Sequence, residues 1–286
     1  MSMMRDRVER TAAPGGPVMG RMLAHLGAWL ALIVRPPFAR ADGAGGRAGP
    51  RWSFLALVGL GAIAVIGGAM ALFDAWAIAQ QRNFPAWVVQ VFERITNFGK
   101  SGWFLWPAGL LVIAAAALAR PALGRGANLV ILSLVVRLEF VFLAIGIPGL
   151  MVSIVKRLIG RVRPSDWGPF HYVPFSWRPD YAALPSGHST AAFAAAFAIG
   201  AIWPRARVSM WIFAGVIAVS RVAVHAHFPS DVIAGAFVGI FGAILVRNWF
   251  AARRLAFVRG TDGKVRALAG PSARRIRSLA ARLAGR

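Results

Sequence analysis

The residues able to do chemistry lie in three short clusters in the second half of the chain. Ser220-Arg221 is followed after five residues by His227 and after three more by Asp231. His227 and Asp231 are four apart, so one helical turn lets the carboxylate reach a ring nitrogen. Such a contact fixes the imidazole tautomer and raises its basicity, as an orienting acid does in hydrolytic triads. A second cluster, Pro185-Ser186-Gly187-His188, opens an apolar run. Ser is a good N-cap and Gly lets a ligand approach the backbone, so the free amides of a helix start would hold an anion there. His188, in the first turn, is then placed to hold a proton for a leaving group. The remaining cluster is Lys156, six residues, then Arg163-Pro164. A separation of seven is close to two helical turns and puts both cations on one face if the helix persists. Taken singly, each cluster has a plain use: cations at a span end snorkel toward headgroups, and a histidine there is more often structural. Together they describe a phosphate-handling site at a membrane surface. His225 falls on a different face from His227 and is expected at the rim.

The elements around these residues are apolar. The chain has 286 residues, is 58% hydrophobic and only 15% charged, with a mean hydropathy of +0.61. Soluble domains carry about a quarter charged residues. Runs long enough to span a bilayer recur, and we expect an all-α polytopic membrane bundle of six transmembrane helices with an amphipathic helix on the outer face. There are no cysteines, which excludes disulfides, thiolate nucleophiles and Cys-based metal sites.

In chain order, residues 1–17 read as disordered. Met19 to Val34 reads as an interfacial helix with His25 at the surface, and Arg40 to Arg51 as a Gly-rich basic linker. The first span is expected over Trp52–Ile78, as an uncleaved signal anchor, with Asp74 turned toward water or protein rather than lipid. Phe84–Gly102 is the amphipathic helix, with Trp87, Val88, Val91, Phe92 and Ile95 at helical spacing. The second span is Trp103–Ala119. The third lies in Ala127–Ile159, its membrane core starting near Leu138, with Arg137 and Glu139 as a structural interfacial pair and a kink at Pro148. Residues 160–184 form a loop whose Trp167, Phe170, Tyr172, Phe175, Trp177 and Tyr181 suit a headgroup-level belt. Spans four to six are Gly187–Trp203, Val208–Val224 and Val232–Val246. Gly235 and Gly239 form a small-xxx-small packing face on the last. The tail Pro271–Arg286 is either a basic amphipathic helix or a solvated tail.

A net charge of +23 would suit nucleic acid, but its distribution argues otherwise. Eight basic residues precede residue 52 and ten follow Phe250, the ordinary mark of cytoplasmic segments near anionic lipid. No nucleic-acid partner is expected. Six spans put both termini, loop 120–126 and loop 204–207 on this basic side, so the three chemical clusters face outward. The domain organisation expected is therefore a basic cytoplasmic segment over 1–51, a six-helix membrane domain carrying the three clusters over 52–249 and a basic cytoplasmic tail over 250–286. Ala- and Arg-rich usage suits a bacterial inner membrane, with the site periplasmic or extracellular.

The three clusters, in order and spacing, resemble the type 2 phosphatidic acid phosphatase superfamily, whose signature is K-x6-R-P, P-S-G-H and S-R-x5-H-x3-D. The match runs through Lys156 and Arg163-Pro164, Pro185 to His188, and Ser220-Arg221 with His227 and Asp231, without departure. It covers about residues 84–247. The resemblance implies that His227 is the nucleophile and forms a phosphohistidine, held by Asp231. It implies that His188 is the general acid, and then the base that assists water. Lys156, Arg163 and Arg221 would neutralise the phosphoryl oxygens, helped by the amides near Ser186 and Gly187, with Ser220 in support. No metal or other cofactor is expected. The substrate implied is a lipid phosphate or pyrophosphate: phosphatidic acid, phosphatidylglycerol phosphate, undecaprenyl pyrophosphate or a lipid A phosphate. A phosphotransferase sharing the intermediate, or a phospholipid-binding or transport protein without catalysis, is the alternative. A soluble haloperoxidase with a similar anion cradle does not fit six spans.

Overall fold

The computed structural model describes residues 18–38, 52–81, 84–164 and 168–284. The expected disordered start, the Arg40–Arg51 linker and Trp167 lie outside them. Among the described residues are α1 (Val18–Val34), α2 (Trp52–Leu72), α3 (Asp74–Gln81), α4 (Ala86–Thr96), α5 (Gly102–Leu118), α6 (Gly124–Ile159), α7 (Gly187–Ile202), α8 (Arg207–Ala223), α9 (Pro229–Ala252), a hairpin of β1 (Phe257–Arg259) and β2 (Val265–Ala267), and α10 (Ala273–Leu283). Five helical stretches are long and apolar enough to cross a membrane: Leu55–Leu72, Ala86–Leu118, Pro121–Ile159, Pro204–Ala223 and Pro229–Ala252. The expected fourth span is α7, which has 16 residues. At about 1.5 Å per residue it falls short of the roughly 30 Å hydrocarbon core. Its Ala191, Ala192, Ala194, Ala195, Ala196 and Ala198 are all buried, so protein rather than lipid surrounds much of it.

The first expected span is interrupted. α2 ends at Leu72 and α3 starts at Asp74, whose carboxylate is fully buried and engaged by polar partners described below. The amphipathic stretch and second span are joined by a 3₁₀ turn over Asn97–Gly99, where the Trp103 indole donates to the Asn97 carbonyl at 3.0 Å. α4 keeps Trp87 and Val91 exposed and Thr96 buried.

The chain forms two compact units. One comprises Met1–Ala39, Phe104–Leu143 and Val246–Arg286. Its core joins Trp29, Ala116, Leu123, Ile131, Val135 and Leu279. His25 is not a surface residue: it is half-buried, its ring stacks on Trp29 at 5.7 Å, and Nδ1 lies 3.2 Å from the Ala116 carbonyl. Arg137 and Glu139 do not pair. Residues two apart on a helix face different ways, and Arg137 donates instead to Ser133 and to the Leu268 carbonyl. Through Ala284 the tail is structured. The hairpin seats Phe257 against Phe140, ring centroids 4.7 Å apart. Ser272 caps α10 by accepting from the Arg275 amide, Leu279 is buried, and Arg282 donates to the Leu123 carbonyl at 2.9 Å.

The other unit comprises Arg40–Trp103 and Ala144–Leu245 and contains all the candidate site residues. α7 packs on α8 through Ala192, Ala196, Ala214 and Ile217. It packs on α9 through glycine: a Cβ on Gly235 would overlap the Ser186 carbonyl, and one on Gly239 the Thr190 carbonyl. The Gly235/Gly239 face is thus a close-packing surface, as its spacing suggests. Pro148 lies inside α6 and occupies the space beside Gly242.

Candidate active site

Three helix ends supply the site. α6 stops at Gly160, whose φ of +64° places it in the left-handed region. A Cβ there would overlap the Val173 carbonyl, so the turn requires glycine. Beyond it the chain is extended and pairs with residues 171–173: the Val173 amide donates to Gly160 at 2.7 Å, and Val162 to His171 at 3.1 Å. This segment delivers Arg161 and Arg163 to the site unit. The Arg163 amide donates to the Asp180 carbonyl and its Nε to Pro179. The loop that follows keeps Phe170, Phe175 and Trp177 strongly exposed.

α7 begins at Ser186, whose Oγ accepts from the Ser189 amide at 3.5 Å and from its hydroxyl at 3.1 Å. The Ser186 amide donates to the Asp231 carbonyl at 2.9 Å. Ser186 therefore joins α7 to α9, and its own N–H is already used. Gly187 is open: a Cβ there would meet nothing within 4 Å, which leaves the first turn of the helix approachable by an anion. His188, in the same turn, packs on Gly99, where a Cβ would lie 3.2 Å from its Cδ2.

α8 ends where His225 adopts a φ of +56°, a conformation histidine tolerates better than most residues. The Ala226 and His227 amides both return to the Arg221 carbonyl at 3.2 Å. This reversal leaves His225 exposed and turns His227 inward, 3% exposed. α9 then starts with proline at its first position, a residue pre-set for a helix start. Asp231 reaches back so that Oδ2 accepts from the Phe228 amide at 2.9 Å, half of a capping box. The same Oδ2 lies 3.6 Å from His227 Nδ1. That is longer than a hydrogen bond, so the contact is electrostatic. Arg221 is anchored by donating to Thr96 Oγ1 at 2.8 Å. The Ser220 hydroxyl donates to the Ile217 carbonyl at 2.6 Å and is spent within its own helix.

Charges converge here. His188 lies in the fields of Arg221, His227, Lys100 and Arg163. His227 lies in those of Asp231, Arg221 and Arg163, and Lys156 in those of Arg157 and Arg163. Arg163 is common to all three. Burial holds the His227 imidazole below its ordinary pKa, with Arg221 and Arg163 adding to the effect and Asp231 opposing it. Of the expected residues, His188, Arg163, Arg221, His227 and Asp231 thus come together, Lys156 joins through Arg163, and Gly187 leaves space beside His188. Ser186 and Ser220 are structural in their visible bonding. Among the described residues no group of three or more His, Asp or Glu is placed to share a metal ion.

Four residues at the site carry no spacing signal in the sequence: Thr96, Gly99 and Lys100, which bring the end of α4 to it, and Arg161. Arg161 is fully buried. Its Nη1 donates to Asp231 Oδ1 at 2.6 Å and to Ser230 Oγ at 2.7 Å, and its Nη2 to Asp74 Oδ2 at 2.7 Å. Burial works against its charge, but Asp231 and Asp74 outweigh burial and hold its pKa above the ordinary value.

Residues 138–255 match the PAP2 superfamily. A lipid A 1-phosphatase of Rhizobium etli is 35% identical over 221 residues, 74% of this chain and 91% of that protein. One of Rhizobium johnstonii is 36% identical over the same length, 74% of this chain and 86% of that protein. The chain belongs to the PAP2 superfamily and is a membrane phosphatase. Among solved structures, Aquifex aeolicus LpxE aligns with a TM-score of 0.44 at 20% identity, covering 61% of this chain and 94% of that one. A PAP2-type phosphatidylglycerolphosphate phosphatase of Bacillus subtilis aligns with a TM-score of 0.39 at 21% identity, covering 80% and 95%.

Proposed function

We propose that this protein hydrolyses a lipid phosphate at the outer face of a bacterial inner membrane, through a phosphohistidine at His227. The observation that carries the reading is the placement of the inward-turned His227 against Asp231, in the fields of Arg163, Arg221 and His188. Because Nδ1 faces Asp231, Nε2 is the attacking atom. Its lone pair forms the P–N bond as the P–O bond to the lipid breaks, and His188, which holds a proton among the surrounding cations only once the anionic phosphate is bound, gives that proton to the departing oxygen. Water then attacks phosphorus, His188 takes the proton, and the P–N bond breaks to release inorganic phosphate. Lys156, Arg163 and Arg221 stabilise the charge on the phosphoryl oxygens, with the amide region around Gly187 as the remaining anion-facing element. Arginine and lysine do the electrostatic work that Mg²⁺ does elsewhere, so turnover is expected to survive EDTA.

Both curated relatives are named for the 1-phosphate of lipid A, which makes that glycosyl phosphate the leading substrate, ahead of phosphatidic acid, phosphatidylglycerol phosphate and undecaprenyl pyrophosphate. The test is phosphate release by purified protein from each of these lipids, with and without EDTA. Fastest release from lipid A, unaffected by EDTA and abolished in His227→Ala and His188→Ala, supports the reading. Release that both variants retain refutes the mechanism.

A further inference from the structure

The fully buried guanidinium of Arg161 is the polar centre of the site unit, yet the chemistry proposed above does not use it. All five of its N–H groups have a place in the bonding. Nε and Nη2 point to the Pro169 carbonyl at 3.1 and 2.9 Å, Nη2 also to Asp74, and Nη1 to Ser230 and Asp231. Its planar face lies over the Phe228 ring, 4.3 Å from the centroid. The partners close a ring, because Ser230 donates to Asp74 through both its amide and its hydroxyl. Phe228, Ser230 and Asp231 all belong to the five-residue stretch that begins with His227. One arginine thus grips that stretch at three points and ties it to α3 through Asp74.

We propose that Arg161 is a positioning residue for the reaction: it fixes the Asp231 carboxylate against His227 and takes up part of its charge, with Asp74 as the second carboxylate it balances. Asp231 is left with defined tasks for each oxygen, Oδ1 on Arg161 and Oδ2 on the Phe228 amide and the imidazole. A guanidinium suits this role because its rigid fork meets several acceptors in one plane, which an ammonium cannot do. The inference rests on the phosphohistidine reading, but its first readout does not require turnover.

His227 faces Asp231 from α9, Arg221 from α8, His188 from α7 and Arg163 from the extended segment, while Arg161 faces Asp231, Asp74 and Tyr172. If the charge of Arg161 is removed, two buried carboxylates lose their cation. The strongest base beside them is His227, which then takes up a proton more readily. In Arg161→Gln the His227 ring should titrate at a higher pH, and the acid limb of kcat/KM should rise with it by about half a pH unit or more. kcat should fall at least about 100-fold with KM within about threefold. Arg161→Lys, which keeps the charge but not the fork, should return the limb toward the wild-type position without restoring kcat. Asp74→Asn leaves more of Arg161 to Asp231, so its limb should move the other way.

The experiment is ring-nitrogen NMR titration of the full-length protein in detergent, the His227 signal assigned by its loss in His227→Gln, alongside pH–rate profiles of the same preparations. Opposite shifts in Arg161→Gln and Asp74→Asn support the proposal. Unmoved titration and limb in both, with activity lost only in proportion to folded protein, overturn it and make Arg161 a stability residue. Should Arg161→Gln fail to fold, the Asp74→Asn and Arg161→Lys titrations decide between the same two outcomes. Shifted titrations in a protein that never forms a phosphoenzyme would instead sink the phosphohistidine reading.

Discussion

His227 and Asp231 show how a four-residue spacing becomes chemistry only with help from elsewhere. The imidazole is almost wholly out of water, and burial favours its neutral form. A base whose folded pKa lies below its unfolded value binds fewer protons folded than unfolded, so its contribution to stability is lost as pH falls through the ordinary histidine range near 6.5. For catalysis the sign is useful: the nucleophile stays unprotonated at pH values where a free histidine would be half charged. The acid limb of kcat/KM should therefore lie below about 6.5. Because Asp231 opposes the depression, Asp231→Asn should push that limb lower still and reduce kcat by at least about 10²-fold, as pH–rate profiles would show. At this scale spacing along helix ends displayed His188, Arg221, His227 and Asp231, whereas Arg163 was legible only as a motif position, because α6 stops at Ile159 and the two-turn spacing from Lys156 does not persist. Spacing did not display Arg161, which falls among the six unspecified positions between Lys156 and Arg163 and whose partners lie at positions 74, 169, 230 and 231. Asp74 was visible only as a charge that had to avoid lipid.

The helices are legible where apolar runs are long and fail to be where tertiary contacts cut them. Nothing local ends α2 at Leu72: the Phe73 amide still donates to Ala69 and the Ala77 amide to Phe73, and the break coincides with Asp74 and its buried partners. α7 reads as a span on hydropathy, and with 16 residues it can serve as one only inside the bundle, where its alanines pack against α8 and α9. The hairpin after α9 lies within a stretch whose basic charge reads as a tail, and its one local signal is Asp262-Gly263, a recognised turn pair with Gly263 at φ +75°. The glycines give the sharpest element-scale prediction. Gly160→Ala combines a left-handed backbone with a carbonyl collision and should cost more than about 3 kcal/mol. Gly239→Ala should destabilise through the Thr190 carbonyl. Gly67→Ala, in α2 with nothing within 4 Å, should be neutral or stabilising by roughly 0.5–1 kcal/mol. Thermal melts of the detergent-solubilised variants would rank them in that order.

For the molecule as a whole, composition alone pointed to a membrane protein, and the basic ends pointed to orientation. The proposed topology puts the two ends of α8 on opposite faces of the bilayer. The chain has no cysteine, so single replacements report cleanly. Arg205→Cys should react with an impermeant maleimide only after the membrane is opened from the cytoplasmic side, and His225→Cys from outside in intact cells. Reaction of both from the same side would contradict six spans with an outward site. The covalent intermediate at His227 is the central step of the proposed reaction. Rapid-quench trapping with a ³²P-labelled lipid phosphate tests it directly. The prediction is label on residue 227 that survives alkali, is lost in acid, and is missing in His227→Ala. Steady turnover by the wild type with no labelled protein at any quench time, or label that persists in His227→Ala, would contradict it.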